Sequence, residues 1–383
     1  RNADMSIVLQ EVVSRKQLKT FVTFPFRLYR GNPCWIPPLI RDEMEVFTPE
    51  KNPCLKLGRF RLFLAYRDQT PVGRVALILN ERANEKYQTR NLRIGWLDFE
   101  EDEAVLRALL GQAIRWARDL GMETLTGPHG FTDMDPEGML VEGFDRLGTI
   151  ATLYNHAYYP RLMEAVGFEK EVDYVEFLGT VPHQEGLPPK LVQLAERVAE
   201  RGGFRLLHLG KKALMGRALE IMELMDETFA EIYGSVPLDR EMLEHYVRKF
   251  FPFVDPDLVK LVENQAGELI AFLITMPSLS RAMQKARGRL LPWGWWHLLR
   301  GLKKADTLDF YLAGVRERYR GQGADLLMVM DIAREALRRG YLYSESNVEL
   351  ENNHKIQAQW KHFHPEQHKR RRIYRMVLPP GEG

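Results

Sequence analysis

"GVRERYRGQGADLL", Gly314–Leu327, is the stretch on which the reading of this chain turns. A strand-like run, "DFYLAGV" (Asp309–Val315), leads into it. Two glycines then turn the backbone, and an apolar stripe of helical period follows at Leu326, Val329, Met330, Ala333 and Leu337, closing at Gly340. The first N–H groups of a helix have no partner inside it and lie at the positive end of its dipole. A glycine-rich approach lets a diphosphate come against them. Arg320 supplies charge, and Gly321 and Gly323 allow close backbone approach. Two glycines at this spacing are a weak signal alone; the strand before and the helix after strengthen it.

Outward from this turn, the element order repeats. The second half reads "FRLLHL" as a strand, "GRALEIMELMDETFAEIYG" and "REMLEHYVRKFF" as helices, and "DLVKLVENQAGELIAFLITMP" as a hairpin turning at Ala266 and Gly267. The first half offers "SIVLQEVV", a helix around "RKQLKTFVTFPFRLYRG", and the hairpin "FRLFLAYRDQTPVGRVALILN". After the strand "RIGWLDF" comes a helix with Leu106, Leu109, Leu110, Ala113, Ile114 and Ala117 on one face, ending at Gly121. Both halves then finish with a strand, a short helix after an Asn and a last strand. The boundary falls in the Pro- and Gly-rich stretch at 181–190, giving domains 5–180 and 191–383. Alternation of this kind predicts mixed α/β architecture.

Composition bounds the function. The 383 residues suit two cores. Lys plus Arg at 54 against Asp plus Glu at 52 leaves a net charge of +2, so no global field draws in nucleic acid. Two cysteines, Cys34 and Cys54, make no disulfide framework, and a reducing cytoplasm is the expected compartment. No apolar run reaches the roughly 20 residues of a membrane-spanning helix.

The loop Arg320–Ala324, in its strand–loop–helix setting, resembles the acyl-CoA loop of the GNAT superfamily, the acetyl-CoA-dependent N-acyltransferases. The pattern Q/RxxGxG/A is met by Arg320, Gly321, Gln322, Gly323 and Ala324; Asp325 stands where Gly or Ala is usual and would compete with phosphate for the same amides. "NHAYYPRLMEAVGFEKEVDYVEF" (Asn155–Phe177) also resembles the superfamily's closing helix and strand. In the second half Asn353 fits that pattern, while Trp360 replaces its Tyr. "NPCWIPPL", "GRVALILN", "GPHGF" and "VEGFD" further resemble a bacterial group of two-domain GNAT-like proteins.

The resemblance implies two tandem GNAT-like domains, each a mixed, mostly antiparallel twisted sheet flanked by helices. It implies acetyl-CoA or another acyl-CoA as co-substrate, no metal, and a small-molecule or peptide amine as acceptor. The backbone of Leu312, Ala313, Gly314 and Val315 would line the pantetheine arm, with Ala313–Val315 serving the oxyanion. The first half has Glu100, Glu101, Asp102 and Glu103 at the corresponding helix start, so only the second half is equipped for CoA.

Acyl transfer needs a base for the amine and an acid for the leaving thiol. Glu345 on "YLYSESNVEL" is the candidate base with Asp309 behind it, and Tyr311 the candidate acid in place of the missing Tyr. Tyr154 and Asn155 are candidate acceptor contacts, against a packing role that fits them as well. Asp133, Asp135 and Glu137 tempt a calcium reading, but the twelfth position is Phe144. His362, His364 and His368 lack a fourth ligand and are interrupted by Pro365, so no metal is assigned.

One segment stands apart, the insertion 278–305 between two expected strands. From Ser280 to Lys304 it carries seven Lys or Arg, no acid, and Trp293, Trp295 and Trp296. A helical flap that packs its Trp and Leu residues against the body is the favoured expectation. A lid over CoA, a membrane-surface contact or an RNA contact are the alternatives, and a non-catalytic binding protein is the second functional reading. The tail "HKRRRIYRMVL" reads as a basic edge strand.

Overall fold

The computed structural model describes residues 6–354, 357 and 363–379. In chain order the first elements are β1 (Val8–Glu11), α1 (Arg15–Leu28), α2 (Ile40–Val46), β2 (Gly58–Arg67), β3 (Thr70–Asn80), α3 (Glu81–Tyr87), β4 (Asn91–Phe99), α4 (Glu103–Asp119), β5 (Thr124–Gly127), β6 (Met139–Glu142), α5 (Tyr158–Ala165) and β7 (Glu169–Thr180). There follow α6 (Pro189–Gly202), β8 (Arg205–Leu207), α7 (Lys211–Thr228), α8 (Arg240–Phe250), β9 (Val259–Glu263), β10 (Leu269–Pro277), α9 (Ser280–Ala286), α10 (Gly294–Lys304), β11 (Thr307–Val315), α11 (Ala324–Arg339), β12 (Tyr343–Glu345), β13 (Glu349–Leu350) and β14 (Glu366–Val377).

The chain forms two compact units, and they are not consecutive halves. The first unit takes 1–175, 280–298 and 369–383; the second takes 176–279 and 299–368. The crossing therefore falls inside β7, between Val175 and Glu176, rather than in the 181–190 stretch, where α6 already begins at Pro189.

In the first unit the strands run β1-β2-β3-β4-β5-β14-β7. The β2–β3 hairpin pairs from Gly58/Asn80 to Arg67/Thr70, and β4 and β5 are parallel through Asn91/Thr124, Leu92/Leu125 and Arg93/Thr126. Helix α4 lays Val105, Leu106, Leu109, Leu110, Ala113 and Ala117 on this sheet, the face its period predicts. The sequence reading of the basic tail as an edge strand is corrected here. β14 lies between β5 and β7, and its arginines answer a buried acid. Arg372 Nε and NH2 reach Asp173 at 2.8 and 3.0 Å, and Arg370 NH1 reaches it at 3.0 Å.

A polar hub holds this unit's interior. Asp98, buried on β4, accepts from the Tyr29 and Tyr159 hydroxyls at 2.8 and 2.9 Å and from Arg74 Nε and NH2 at 2.9 and 2.7 Å. Burial, then the Asp98 charge, pushes both tyrosine hydroxyls well above their ordinary values. They stay protonated donors.

The second unit runs β7-β12-β11-β10-β9-β8 and repeats the plan. Its hairpin is β9–β10, followed by β11, α11 and then β12 parallel to β11. Against the sheet α11 buries Ala324, Met328, Ile332 and Ala336. The expected stripe is met in part: Met330 and Ala333 are buried, while Leu326, Val329 and Leu337 are only half-buried. The small Ala324 and Ala336, which carry little hydrophobic signal, are what let the helix approach closely.

Replacing Asp98 with Ala strands the buried Arg74 guanidinium. The expected cost is about 3–5 kcal/mol, read as a lower urea midpoint. Asp98→Asn keeps acceptor geometry for the tyrosines and should cost less.

Candidate functional site

Strands β11 and β12 pair in parallel for three registers, Thr307/Tyr343, Leu308/Ser344 and Asp309/Glu345, and no further. On its other side β11 stays paired to β10 as far as Val315/Ala271, with a register shift around Tyr311. Past Asp309, Leu312–Val315 therefore has one edge held by β10 and one not paired to β12. That is the splayed geometry in which a ligand's amides can join the sheet edge.

Asp309 and Glu345 stand opposite each other at the last paired register, and both are buried. His368, which sequence reasoning weighed only as a metal ligand, brings Nε2 to 3.2 Å from Glu345 Oε1 and is also buried. The approach is close but not along a hydrogen-bonding line. Catalytic contacts are commonly loose before substrate arrives. Tyr311 follows on the same strand, its carbonyl accepting from Asn347 Nδ2 at 2.9 Å. Burial, then the Asp309 charge, pushes its hydroxyl well above the ordinary value. A phenol so shifted gives up its proton reluctantly, which counts against its role as acid. Trp360, the other residue of that argument, and His362 lie outside the described residues.

The loop after β11 has the backbone the diphosphate reading needs. Gly321 and Gly323 have φ of +74° and +92°, and Gly323 is the N-cap of the sixteen-residue α11. A Cβ on Gly323 would lie 2.3 Å from Val198 Cγ1 of α6, so glycine is required there twice over. Space opens at Gly321 instead, where a Cβ would meet nothing within 4 Å.

The side chains of this loop are turned back onto the protein. Arg320 Nε donates to the Val315 carbonyl at 3.1 Å and NH2 to the Thr228 carbonyl at 3.3 Å, while Gln322 Nε2 donates to the Arg318 carbonyl at 2.8 Å. Asp325 Oδ1 accepts from the Leu326 amide at 2.9 Å. One helix-start amide is thus met by the protein's own carboxylate. Gly321–Ala324, just before it, form the turn that an acyl-CoA diphosphate would meet. Their backbone shape fits the group; Asp325 weakens the fit. Asn353 accepts from the Gln357 amide at 3.2 Å as a helix-start residue.

The first unit lacks these features. Asp102 caps α4 by accepting from Ala104 N at 2.8 Å, Glu100 lies 2.5 Å from Arg27 NH2, Glu101 2.8 Å from Arg161, and Glu103 2.6 Å from Arg107. At its last parallel register stand Arg93 and Thr126 rather than two acids. The candidate acceptor contacts, Tyr154 and Asn155, make structural hydrogen bonds. Asn155 Oδ1 accepts from Leu140 N and Nδ2 donates to the Leu140 and His156 carbonyls, while the Tyr154 hydroxyl donates to the Phe144 carbonyl at 2.9 Å. Both fasten β6 and its loop.

Beneath that loop sits a second buried pair. His129 Nδ1 lies 3.9 Å from Glu137 Oε2, and Thr126 Oγ1 lies 2.9 Å from His129 Nε2. Burial, then Asp133, pushes Glu137 up to about 8; burial, then Arg93, pulls His129 well below its ordinary value. At neutral pH both are uncharged. Asp135, of the rejected calcium pattern, accepts from Phe131 N and Thr132 N. Among the described residues no group of three His, Cys, Asp or Glu stands ready for a metal ion, and no helix is long and apolar enough to cross a membrane. Cys34 and Cys54 are buried and not disulfide-bonded.

No family model matches the chain. It has the GNAT-like α/β fold in two units. A "Tandem GNAT protein from the clavulanic acid biosynthesis pathway" superposes with a TM-score of 0.58, covering 98% of this chain and 100% of that one at 14% identity. A GCN5-related N-acetyltransferase from Sphaerobacter thermophilus gives 0.50, covering 98% and 96% at 14% identity. By sequence the chain is similar to "Bacterial ceramide synthase" of Caulobacter vibrioides, 26% identical over 366 residues and 92% of each chain. It is similar too to "Protein YghO" of Escherichia coli, 25% identical over 373 residues, 96% of this chain and 94% of that one.

The neutral Glu137–His129 pair fixes a sign. Glu137 binds its proton more tightly folded than unfolded, so its contribution is present at low pH and is lost as pH rises toward about 8. His129, depressed when folded, contributes in the other direction and only below its unfolded value near 6.5. Between about pH 6.5 and 8 stability should therefore fall. Glu137→Gln should flatten that slope, a difference of about 1.5–2 kcal/mol across the window, read as urea midpoints at its two ends.

Proposed function

We propose that this chain is an N-acyltransferase that moves an acyl group from acyl-CoA to an amine, with the second unit as its working site. The carrying observation is the buried Asp309–Glu345–His368 group at the register where β11 and β12 part. An acyl-CoA supplies the activated acyl thioester. Leu312–Val315 binds its arm along the open strand edge, and the α11 start faces its diphosphate. An amine arrives protonated near neutral pH and must lose that proton before it can attack. Glu345 receives it; His368 orients the Glu345 carboxylate and Asp309 adds negative charge behind it.

The acceptor class follows from the similarity to a ceramide synthase across 92% of both chains. A ceramide is a long-chain amino alcohol acylated on nitrogen. We therefore infer an acceptor of that type, a primary amine on a long aliphatic chain. The Asp325 carboxylate on the Leu326 amide favours a second reading, a protein that keeps the fold and binds without transferring.

Thermal shift and thiol release separate the two. Acetyl-CoA or longer acyl-CoAs should raise the melting temperature, and a long-chain amine should then release free CoA. No stabilisation by any thioester would defeat the reading, and stabilisation without release would leave the binding protein. Glu345→Gln should lower kcat by about 10²–10⁴ with KM for the thioester little changed. His368→Gln should lower kcat by less than Glu345→Gln does, with KM for the thioester little changed. Asp325→Asn removes the competing charge, and CoA should bind several-fold tighter.

A further inference from the structure

The insertion Ser280–Lys304 does not fold down as its composition suggests. Its first part is pinned to the first unit. Ser280 Oγ donates to the Gly148 carbonyl at 2.8 Å, Gln284 Nε2 to the Pro33 carbonyl at 2.8 Å, and the Ile40 amide to the Gly288 carbonyl at 2.9 Å. Ala282, Met283 and Ala286 are buried. Beyond this anchor the apolar side chains stay in water. Exposure is 76% at Leu291, 68% at Trp293, 47% at Trp295, 43% at Trp296 and 54% at Leu299.

Along α10 the exposed positions fall in two adjacent rows, Trp295–Leu299–Lys303 and Trp296–Arg300–Lys304, four residues apart within each. One end of the exposed face is aromatic and aliphatic, the other basic. A cavity of ≈ 950 Å³ opens beside it, lined in part by Arg281, Lys285, Arg287, Arg289, Leu291 and Trp293. Such a concentration of exposed apolar groups on a rigid base marks an interaction surface. Its pairing of Trp and Leu with Lys and Arg, with no acid from Ser280 to Lys304, is complementary to a negatively charged interface with an apolar layer behind it.

We propose that Leu290–Lys304 docks on a bilayer surface rich in anionic phospholipid. Trp293, Trp295, Trp296 and Leu299 enter the headgroup layer, and Arg300, Lys303, Lys304 and the cavity's cations face lipid phosphates. RNA pairs cations with aromatic stacking, but Leu299 lies in one row with Trp295 and Leu290 and Leu291 are exposed just before the helix, and none of these offers a base a ring. The proposal goes beyond acyl transfer and is tested without measuring it.

The full chain is sedimented with vesicles of phosphatidylcholine alone and of phosphatidylcholine with about one third phosphatidylglycerol, and titrated separately with poly(U). Binding to the anionic vesicles should be at least about tenfold tighter, should weaken as salt is raised, and should let brominated lipid quench tryptophan emission. Trp295→Ser with Trp296→Ser and Leu299→Ser should abolish it, and Arg300→Gln with Lys303→Gln and Lys304→Gln should remove the preference for anionic lipid. These side chains are exposed, so unchanged melting curves are expected. Absent binding, equal affinity for neutral vesicles, unquenched tryptophans, variants that bind like the parent, or tighter binding to poly(U) than to vesicles would each overturn the proposal.

Discussion

The end of pairing between β11 and β12 is the constraint on which the second unit's chemistry depends. A parallel pair that continued would use both edges of β11 for the ladder and leave a ligand no backbone to join. Because pairing stops at Asp309/Glu345, the strand beyond has an open edge, and two carboxylates are left at its mouth. Burying two acids side by side is costly unless charge and hydrogen bonds compensate. His368, from the strand that closes the chain's second pass, approaches Glu345 Oε1 to 3.2 Å. The first unit keeps the same three-register parallel pair but ends it on Arg93 and Thr126. The scaffold is repeated; the carboxylates are not.

Two features of the loop oppose each other. Its backbone is shaped for an anion, with two left-handed glycines before a long helix. Its nearest acid is seated on one of the amides that an anion would seek. A carboxylate at a helix start is favourable in itself, typically by 0.3–1 kcal/mol or roughly that order. It therefore stabilises the fold while it taxes ligand binding. In the first unit Asp102 alone caps α4, and Glu100, Glu101 and Glu103 pair with Arg27, Arg161 and Arg107.

How far the sequence was legible follows from distance along the chain. The hairpins β2–β3 and β9–β10 and helices α4 and α11 were readable because alternation, helical period and glycine stops are local signals. The glycine loop was readable for the same reason, whereas Asp309 and Glu345 were singled out from what acyl transfer would require, and their opposition across two strands was not a local signal. The place of β14 was not, since its partners in β5 and β6 precede it by more than two hundred residues and its arginines serve Asp173, an acid no local pattern marks. His368 was missed as a partner of Glu345 because three neighbouring histidines direct attention to metal. The exposure of Trp293, Trp295 and Trp296 was missed because a tryptophan-rich helix has the same composition whether its rings face a core or the solvent.

Burial of a carboxyl beside an imidazole does not by itself make a working site, and this protein contains two such pairs in different surroundings. Glu137 and His129 lie 3.9 Å apart under a loop fastened by Asp135 and Asn155, and their surroundings drive both to the neutral form. Nothing in that arrangement gives a substrate access, and its consequence is a pH-dependent stability. Glu345 and His368 lie closer, and they do so where a strand edge opens. What distinguishes the two pairs is therefore not the depth of burial but the neighbouring backbone: a fastened loop in the first unit, a diverging pair of strands in the second.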